Sequence, residues 1–296
     1  MIRFICVCIV VIGYLILSIP ILLVEWVIGK FNKRAKDISS LRIIQAVFRF
    51  ILKITGADIT VKGHENVPAD TAVLYIGNHR SFFDILLTYV LCPDVTGYVA
   101  KKEMESIPLL SIWMRYLHCL FLDRKNIKEG MKTILLAIEE MKNGISICIF
   151  PEGTRNRNES ELDLLPFHEG SFKIATKAGC PIVPIAIHNS AGIFEAQFPK
   201  MRPAKVIVEY GEPIYPDKLD KEEKKNPLKR FYKYSVDEKD VVLIVVNTSS
   251  NKETLEVDKY NITEDISFNN RINSFESDVV EFLPYQIKIF KVVKTI

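Results

Sequence analysis

The chain has 296 residues, with 39 Lys+Arg against 36 Asp+Glu and 48% hydrophobic residues. That apolar content with a net charge of only +3 excludes disorder, and near charge balance leaves no surplus for a dedicated nucleic-acid binder. Six scattered Cys exclude a disulfide miniprotein, and the length permits one large domain or two smaller ones. A mean hydropathy of +0.13 is high for a plain soluble enzyme and directs attention to where the apolar residues concentrate.

They concentrate first at the N-terminus. Phe4 to Val24 contains no Asp, Glu, Lys, Arg or His, close to the ~20 residues that a bilayer core requires. The run exceeds the apolar region of a cleaved signal peptide, roughly 7–15 residues. Pro20 lacks an N–H and breaks or kinks a helix near its end. The segment is therefore read as a membrane helix or a helical hairpin. Lys30, Lys33, Arg34 and Lys36 follow it, against one Arg before. The positive-inside rule then places the rest of the chain on the cytoplasmic side of a cell membrane.

Next comes SLRIIQAVFRFILKITG, where Leu41, Ile44, Val47, Phe48, Ile51 and Leu52 recur at helical spacing. Arg42, Arg49 and Lys53 are interleaved. That pattern suits either a core helix with a solvated face or a basic helix on an anionic bilayer. The preceding anchor favours the bilayer, so residues 1–56 are read as anchor plus amphipathic helix.

From about residue 57 to 216, strand-like and helix-like stretches alternate. Strands are expected at Ile59–Val61, Ala72–Ile76, Gly97–Ala100, Cys119–Leu122, Ser146–Phe150, Ile182–Ile187 and Val206–Glu209. Helices are expected at Phe82–Leu91, Leu109–Leu117, Ile127–Lys142 and Glu169–Ala178. Such alternation predicts an α/β fold with a mixed sheet and flanking helices. The polar run DKLDKEEKKN and Pro227 read as a linker over 217–230. Beyond it, from 231 to 296, VVLIVVN, ETLEVD, DVVEF and QIKIFKVV predict a small antiparallel β-domain.

Three short stretches carry candidate chemistry. Asn78-His79-Arg80-Ser81-Phe82-Phe83-Asp84 joins an apolar strand to an apolar helix. On one continuous helix, His79 and Asp84 would point roughly 140° apart. A turn between strand and helix brings them together. Asp84 then accepts from one ring nitrogen and leaves the other as a general base. This is the Ser-His-Asp arrangement with a substrate hydroxyl in place of the serine. Phe150-Pro151-Glu152-Gly153-Thr154-Arg155 follows another strand, where open α/β sheets place ligand contacts. Arg155 offers a planar fork for phosphate, and Glu152 is placed to orient that fork or a substrate hydroxyl. Phe121-Leu122-Asp123-Arg124 supplies a second candidate phosphate cation. The cysteines lack zinc spacing and read as buried thiols.

Together, NHRSFFD, FLDR preceded by AKKEMESIPLL, FPEGTR and VPI resemble, in order, the four blocks of the lysophosphatidate acyltransferase family. The resemblance covers roughly residues 58–215. It implies the glycerolipid-acyltransferase fold and transfer of an acyl group from acyl-CoA or acyl-carrier protein to 1-acylglycerol 3-phosphate, the alternatives being glycerol 3-phosphate or another lysophospholipid as acceptor, or a non-catalytic membrane or glycan-binding protein. In that reading His79 is the general base and Asp84 orients it. Lys101, Arg124, Glu152, Gly153, Thr154 and Arg155 bind the phosphate-bearing acceptor. Membrane lipid is the expected surroundings, no nucleic acid is bound, and no cofactor or metal is implied beyond the acyl-donor co-substrate. Two positions depart from the family pattern. His118 stands where a Gly is frequent, and His168 replaces a Lys after EGTR; both read as tolerated variation.

The tail, KRFYKYSVDEKDVVLIVVNTSSNKETLEVDKYN through LPYQIKIFKV, resembles the C-terminal β-domain of α-amylase-family glycosidases. No glycosidase barrel or carboxylate pair precedes it, so glycosidase activity is not implied. Two readings stay open, a fusion of two unrelated pieces, which is favoured, and a divergent tail that only mimics the pattern.

Overall fold

In a computed structural model the structure describes residues 1–158, 164–168, 170–218, 228–234, 241–247, 253–256, 262–265, 279–282 and 287–292. The chain divides into two compact units, Met1–Arg155 with Gly170–Asp217, and Asn156–Glu169 with Lys218–Ile296.

The first unit opens with α1 (Ile2–Leu17) and α2 (Ile19–Phe31), bent by 49° at the break between them. Pro20 lies in the first turn of α2, where its missing N–H costs nothing and the preceding helix must stop. Ile2, Ile5, Ile9, Ile12 and Ile16 form an exposed stripe along α1. The polar groups of the pair turn inward instead. Arg3 donates to the Thr55 carbonyl at 2.8 Å, and Ser18 Oγ accepts from Trp113 Nε1 at 2.9 Å. Glu25, the first charge after the apolar run, is buried and accepts from Ser39 Oγ at 2.6 Å. No single helix among the described residues is long and apolar enough to cross a membrane; the bent pair together has the length and composition.

Helix α3 (Lys33–Thr55) starts on Asn32, whose side chain accepts from Ala35 N, and ends on Gly56 in the left-handed region. Its apolar stripe is spent on the protein core. Leu41, Ile44, Ile51 and Leu52 are buried there. The expectation of a bilayer-facing stripe is therefore corrected. Burying these side chains against the domain already removes their surface from water, which leaves none of it for lipid. The arginines also have protein partners. Arg42 and Arg49 donate to the Pro93 and Val90 carbonyls, near the C-terminus of α4 (Phe83–Tyr89), as cations do at helix ends.

A seven-stranded mixed sheet forms the body of the unit. Its strands are β1 (Asp58–Lys62), β2 (Leu74–Gly77), β3 (Thr96–Lys101), β4 (Leu120–Leu122), β5 (Ser146–Ile149), β6 (Ile182–His188) and β7 (Lys205–Tyr210). They lie in the order β1-β7-β6-β2-β5-β3-β4. β6, β2, β5, β3 and β4 are mutually parallel, whereas β7 is antiparallel to β6 and parallel to β1. Every residue of β2 and β5 is buried, as central parallel strands covered on both faces must be. Helices α5 (Leu110–Tyr116), α6 (Ile127–Lys142) and α7 (Gly170–Ala178) complete the layers. All seven expected strands and four expected helices of this region are present, with shifts of one or two residues at their ends. The parallel arrangement has one functional consequence: the residues that follow β2, β3, β4, β5 and β6 all emerge at the same edge of the sheet.

The second unit is antiparallel. β8 (Leu228–Tyr234), β9 (Val241–Asn247), β11 (Ile262–Asp265) and β13 (Ile287–Val292) form one sheet, in the order β11-β13-β9-β8. β10 (Glu253–Glu256) pairs with β12 (Val279–Phe282). β8 begins within the stretch read as a linker, and β11 was not expected. Both are short or charged runs that lack the apolar signal of VVLIVVN.

Candidate active site

β2 stops at Gly77, and Asn78 continues the ladder with its side chain. Its amide donates to the Ile187 carbonyl and accepts from Ile187 N, both at 2.8 Å. The chain then turns sharply. Ser81 Oγ accepts from Phe83 N at 3.0 Å, and the Asp84 carboxylate reaches back to Ser81 N at 2.8 Å. Ser81 and Asp84 thus satisfy backbone N–H groups of the turn that leads into α4, whose N-cap is Phe82. The same carboxylate oxygen accepts from Arg80 N at 2.7 Å and from His79 Nδ1 at 2.8 Å. Asp84 is fully buried, and its other oxygen has no hydrogen-bond partner. With Nδ1–H committed to Asp84, Nε2 of His79 is the basic nitrogen. The turn expected between His79 and Asp84 is therefore present.

A second loop meets this turn. Phe150, at the end of β5, stacks on the His79 ring with centroids 4.3 Å apart. A Cβ on Gly77 would lie 3.3 Å from the Phe150 ring, so only glycine leaves that ring its place. Gly153 has φ 70°, in the left-handed region that favours glycine. That turn presents Glu152, which is buried and accepts from His79 N at 2.7 Å. Glu152 therefore holds the backbone of the loop that carries His79. The carboxylate that meets Arg155 is a different one, Glu195, at 3.1 Å. The guanidinium carbon of Arg155 also lies over the Phe82 ring, 3.6 Å from its centroid.

The other residues singled out from sequence are more dispersed. Thr154 is exposed on the Gly153 turn. Lys101 ends β3 and pairs with Glu103 at 2.8 Å on an exposed surface. Arg124 follows β4 and is exposed. β3 and β4 lie two and three strands from β2. At ~4.8 Å per strand that places their ends roughly 10 and 14 Å along the edge from the end of β2. His79, Asp84, Glu152 and Arg155 form a compact group, and Lys101 and Arg124 lie further along the same edge. His168 belongs to the stretch grouped with the second unit.

His118 is structural. Its Nδ1 bonds Glu140 Oε2 at 2.9 Å, and its Nε2 lies 3.2 Å from Asp37 Oδ2. Burial would lower its pKa, but the two carboxylates outweigh burial and lift it to about 9. Its φ of 56° is one that glycine adopts freely and that histidine tolerates better than most residues. Burial pushes the thiols of Cys92 and Cys119 up to about 11 and about 12, which keeps them protonated and unreactive.

The Acyltransferase family profile matches residues 58–188, which include both loops. A 1-acyl-sn-glycerol-3-phosphate acyltransferase of Haemophilus influenzae is 31% identical over 185 residues, covering 61% of this chain and 74% of that one. The chain belongs to the 1-acyl-sn-glycerol-3-phosphate acyltransferase family. A Saccharomyces cerevisiae protein of that name is 32% identical over 177 residues, covering 59% of this chain and 58% of its own length. The chain spans less than two thirds of several relatives it matches, the yeast one among them. The fold is that of the crystal structure of the 1-acyl-sn-glycerophosphate acyltransferase from Thermotoga maritima. Its TM-score is 0.63 at 24% identity, covering 76% of this chain and 90% of that one.

Asn78, Phe150 and Glu195 were missed in the sequence. Asn78 and Phe150 sit inside the quoted motifs, so only their roles were unread. Glu195 lies in AGIFEAQ, beyond the matched residues, with no motif to mark it.

Proposed function

We propose that the chain transfers an acyl group from acyl-CoA or acyl-carrier protein to the 2-hydroxyl of 1-acyl-sn-glycerol 3-phosphate, forming phosphatidate. The observation that carries this is the His79 Nδ1–Asp84 contact of 2.8 Å beside the Glu152–Arg155 loop. His79 Nε2 takes the proton of the acceptor hydroxyl, and the oxygen attacks the thioester carbonyl carbon. A C–O bond forms, the C–S bond breaks, and the imidazolium returns its proton to the departing thiolate. Buried Asp84 stabilises the imidazolium while it exists. The thioester is already activated, so no acyl-enzyme is needed. Arg155 holds the acceptor's phosphate, and Lys101 and Arg124 extend the cationic edge.

The bent pair seats the protein in a membrane, with the catalytic part on the cytoplasmic side. α1 alone, at about 1.5 Å per residue over 16 residues, is roughly 24 Å long, short of a ~30 Å hydrocarbon core. Its exposed isoleucine stripe faces lipid and its polar groups face the protein.

The β8–β13 unit takes no part in the reaction. Its likeness to a glycosidase domain rests on sequence alone.

The test is a radiolabelled acyl donor mixed with lysophosphatidate and the full chain in detergent. Labelled phosphatidate that disappears with His79→Ala is the expected result. Product formed at an unchanged rate by His79→Ala would overturn the mechanism. Chemistry that vanishes on truncation after residue 226, with the fold intact, would overturn the passive tail.

A further inference from the structure

β6 leads at its C-terminal end into a short segment, residues 190–197, beyond the two loops already described. Glu195 in that segment gathers three donors from both of them. Its Oε2 accepts from Ser81 Oγ at 2.7 Å. Its Oε1 accepts from Phe82 N at 2.8 Å and from Arg155 Nη1 at 3.1 Å. Ser81 and Phe82 belong to the turn that carries His79, and Arg155 to the loop after β5. One carboxylate therefore ties the turn with the base to the loop with the cation.

Resting on the acyl-transfer reading, we propose that Glu195 is a positioning residue that sets the span between the general base and the phosphate-binding guanidinium. A guanidinium has five N–H donors, and Glu195 engages one nitrogen. Phe82 covers one face of the same group. An arginine held by one edge and one face has its remaining edge aimed, and an aimed fork loses less side-chain entropy on binding phosphate than a free one. The negative charge of Glu195 opposes an incoming phosphate, yet three donors already compensate it. The positioning effect wins, so removal of Glu195 weakens the acceptor.

The experiment compares the full chain with Glu195→Ala, Glu195→Gln, Arg155→Ala and the Glu195→Ala/Arg155→Ala double variant. The readouts are the KM for lysophosphatidate, the KM for the acyl donor, and equilibrium binding of sn-glycerol 3-phosphate. Glu195→Ala should raise the acceptor KM about tenfold, the loss of one charge-assisted bond, and leave the donor KM unchanged. In the Arg155→Ala background the same substitution should change the acceptor KM less than twofold, because neighbours acting through one another are not additive. Equal penalties in both backgrounds would overturn the proposal, as would an unchanged or lowered acceptor KM in a folded variant. Glu195→Gln carries the same test if the alanine variant does not fold. It keeps an acceptor for Phe82 N, removes the charge, and turns an amide N–H toward Ser81 Oγ, which can accept from it. A chain that never acylates lysophosphatidate would refute the proposed activity. Glycerol 3-phosphate binding then decides the positioning role: weaker binding that depends on Arg155 supports it, and unchanged binding overturns it.

Discussion

Asp84→Asn separates two duties that meet on one oxygen. Asp84 Oδ2 accepts from His79 Nδ1, Arg80 N and Ser81 N. Asparagine keeps an oxygen of the same shape but removes the charge. Each bond to a charged acceptor is worth roughly 1.5–3 kcal/mol and each neutral one about 0.5–1.5. Three such conversions cost about 3 kcal/mol. The new amide nitrogen falls where the other oxygen was buried without a partner, which adds to the penalty. Urea unfolding followed by the fluorescence of Trp26 and Trp113 reads the loss. With a slope near 2 kcal/mol per molar, the midpoint should fall by about 1.5 M. The rate should fall about 10³–10⁴-fold, because the imidazolium loses its counter-charge and the tautomer is no longer set. His79→Ala should show the same loss of rate with a small change in midpoint, since Asp84 keeps both backbone donors. A folded Asp84→Asn variant with the wild-type midpoint, or with activity within tenfold of wild type, would refute the shared-oxygen reasoning.

Other substitutions probe other parts of the molecule. The folded pKa of His118, about 9, lies above its ordinary 6.5. Its stabilisation is therefore complete below about pH 6.5 and fades as the pH rises through about 9. Burial pushes Asp37 up, but His118 and Lys36 outweigh it and hold the carboxyl low; His118 likewise holds Glu140 low. Their contributions are present above the ordinary carboxylate range and lost as the pH falls through their lowered values. The Tm gap between wild type and His118→Asn should be widest near pH 6 and nearly closed at pH 10; a constant gap would contradict this. Trp113→Ala should cost about 3–5 kcal/mol in chemical denaturation, because the ring is buried and its N–H partners Ser18. Gly77→Ala should push Phe150 and loosen the His79 stack, lowering kcat about tenfold with little change in KM. Unchanged kcat would show that the stack does not position the base.

The fold was legible wherever local pattern and burial agreed. Runs such as ISICIF and AVLYI are apolar on both faces, and they became β5 and β2 at the centre of the sheet. The break at Pro20 follows from the missing N–H alone. The destination of the stripe on α3 was not legible, because a core and a bilayer demand the same spacing of Leu41, Ile44, Ile51 and Leu52. The His79–Asp84 contact could be argued because both residues lie within one short turn. The Arg155–Glu195 pair could not, because forty residues, α7 and β6 among them, separate its halves. Glu152 reads in the sequence as orienting either Arg155 or a substrate hydroxyl, and its contact with the His79 backbone was not legible for the same reason. Proximity in sequence favoured the arginine three residues on, whereas the sheet brought it to the backbone of His79.

The packing of α1 also bears on how the molecule is made. Arg3 meets Thr55, Ser18 meets Trp113, and Phe4 stacks on Phe194 at 5.1 Å. The sequence separations are 52, 95 and about 190 residues. At ~5–20 residues per second, Phe194 is synthesised roughly 10–40 s after Phe4. The first helix therefore leaves the ribosome long before the surface that will cover its inner side exists. During that interval both of its faces lack the protein surface that later covers one of them, and the last aromatic contact closes only when the segment after β6 has been made.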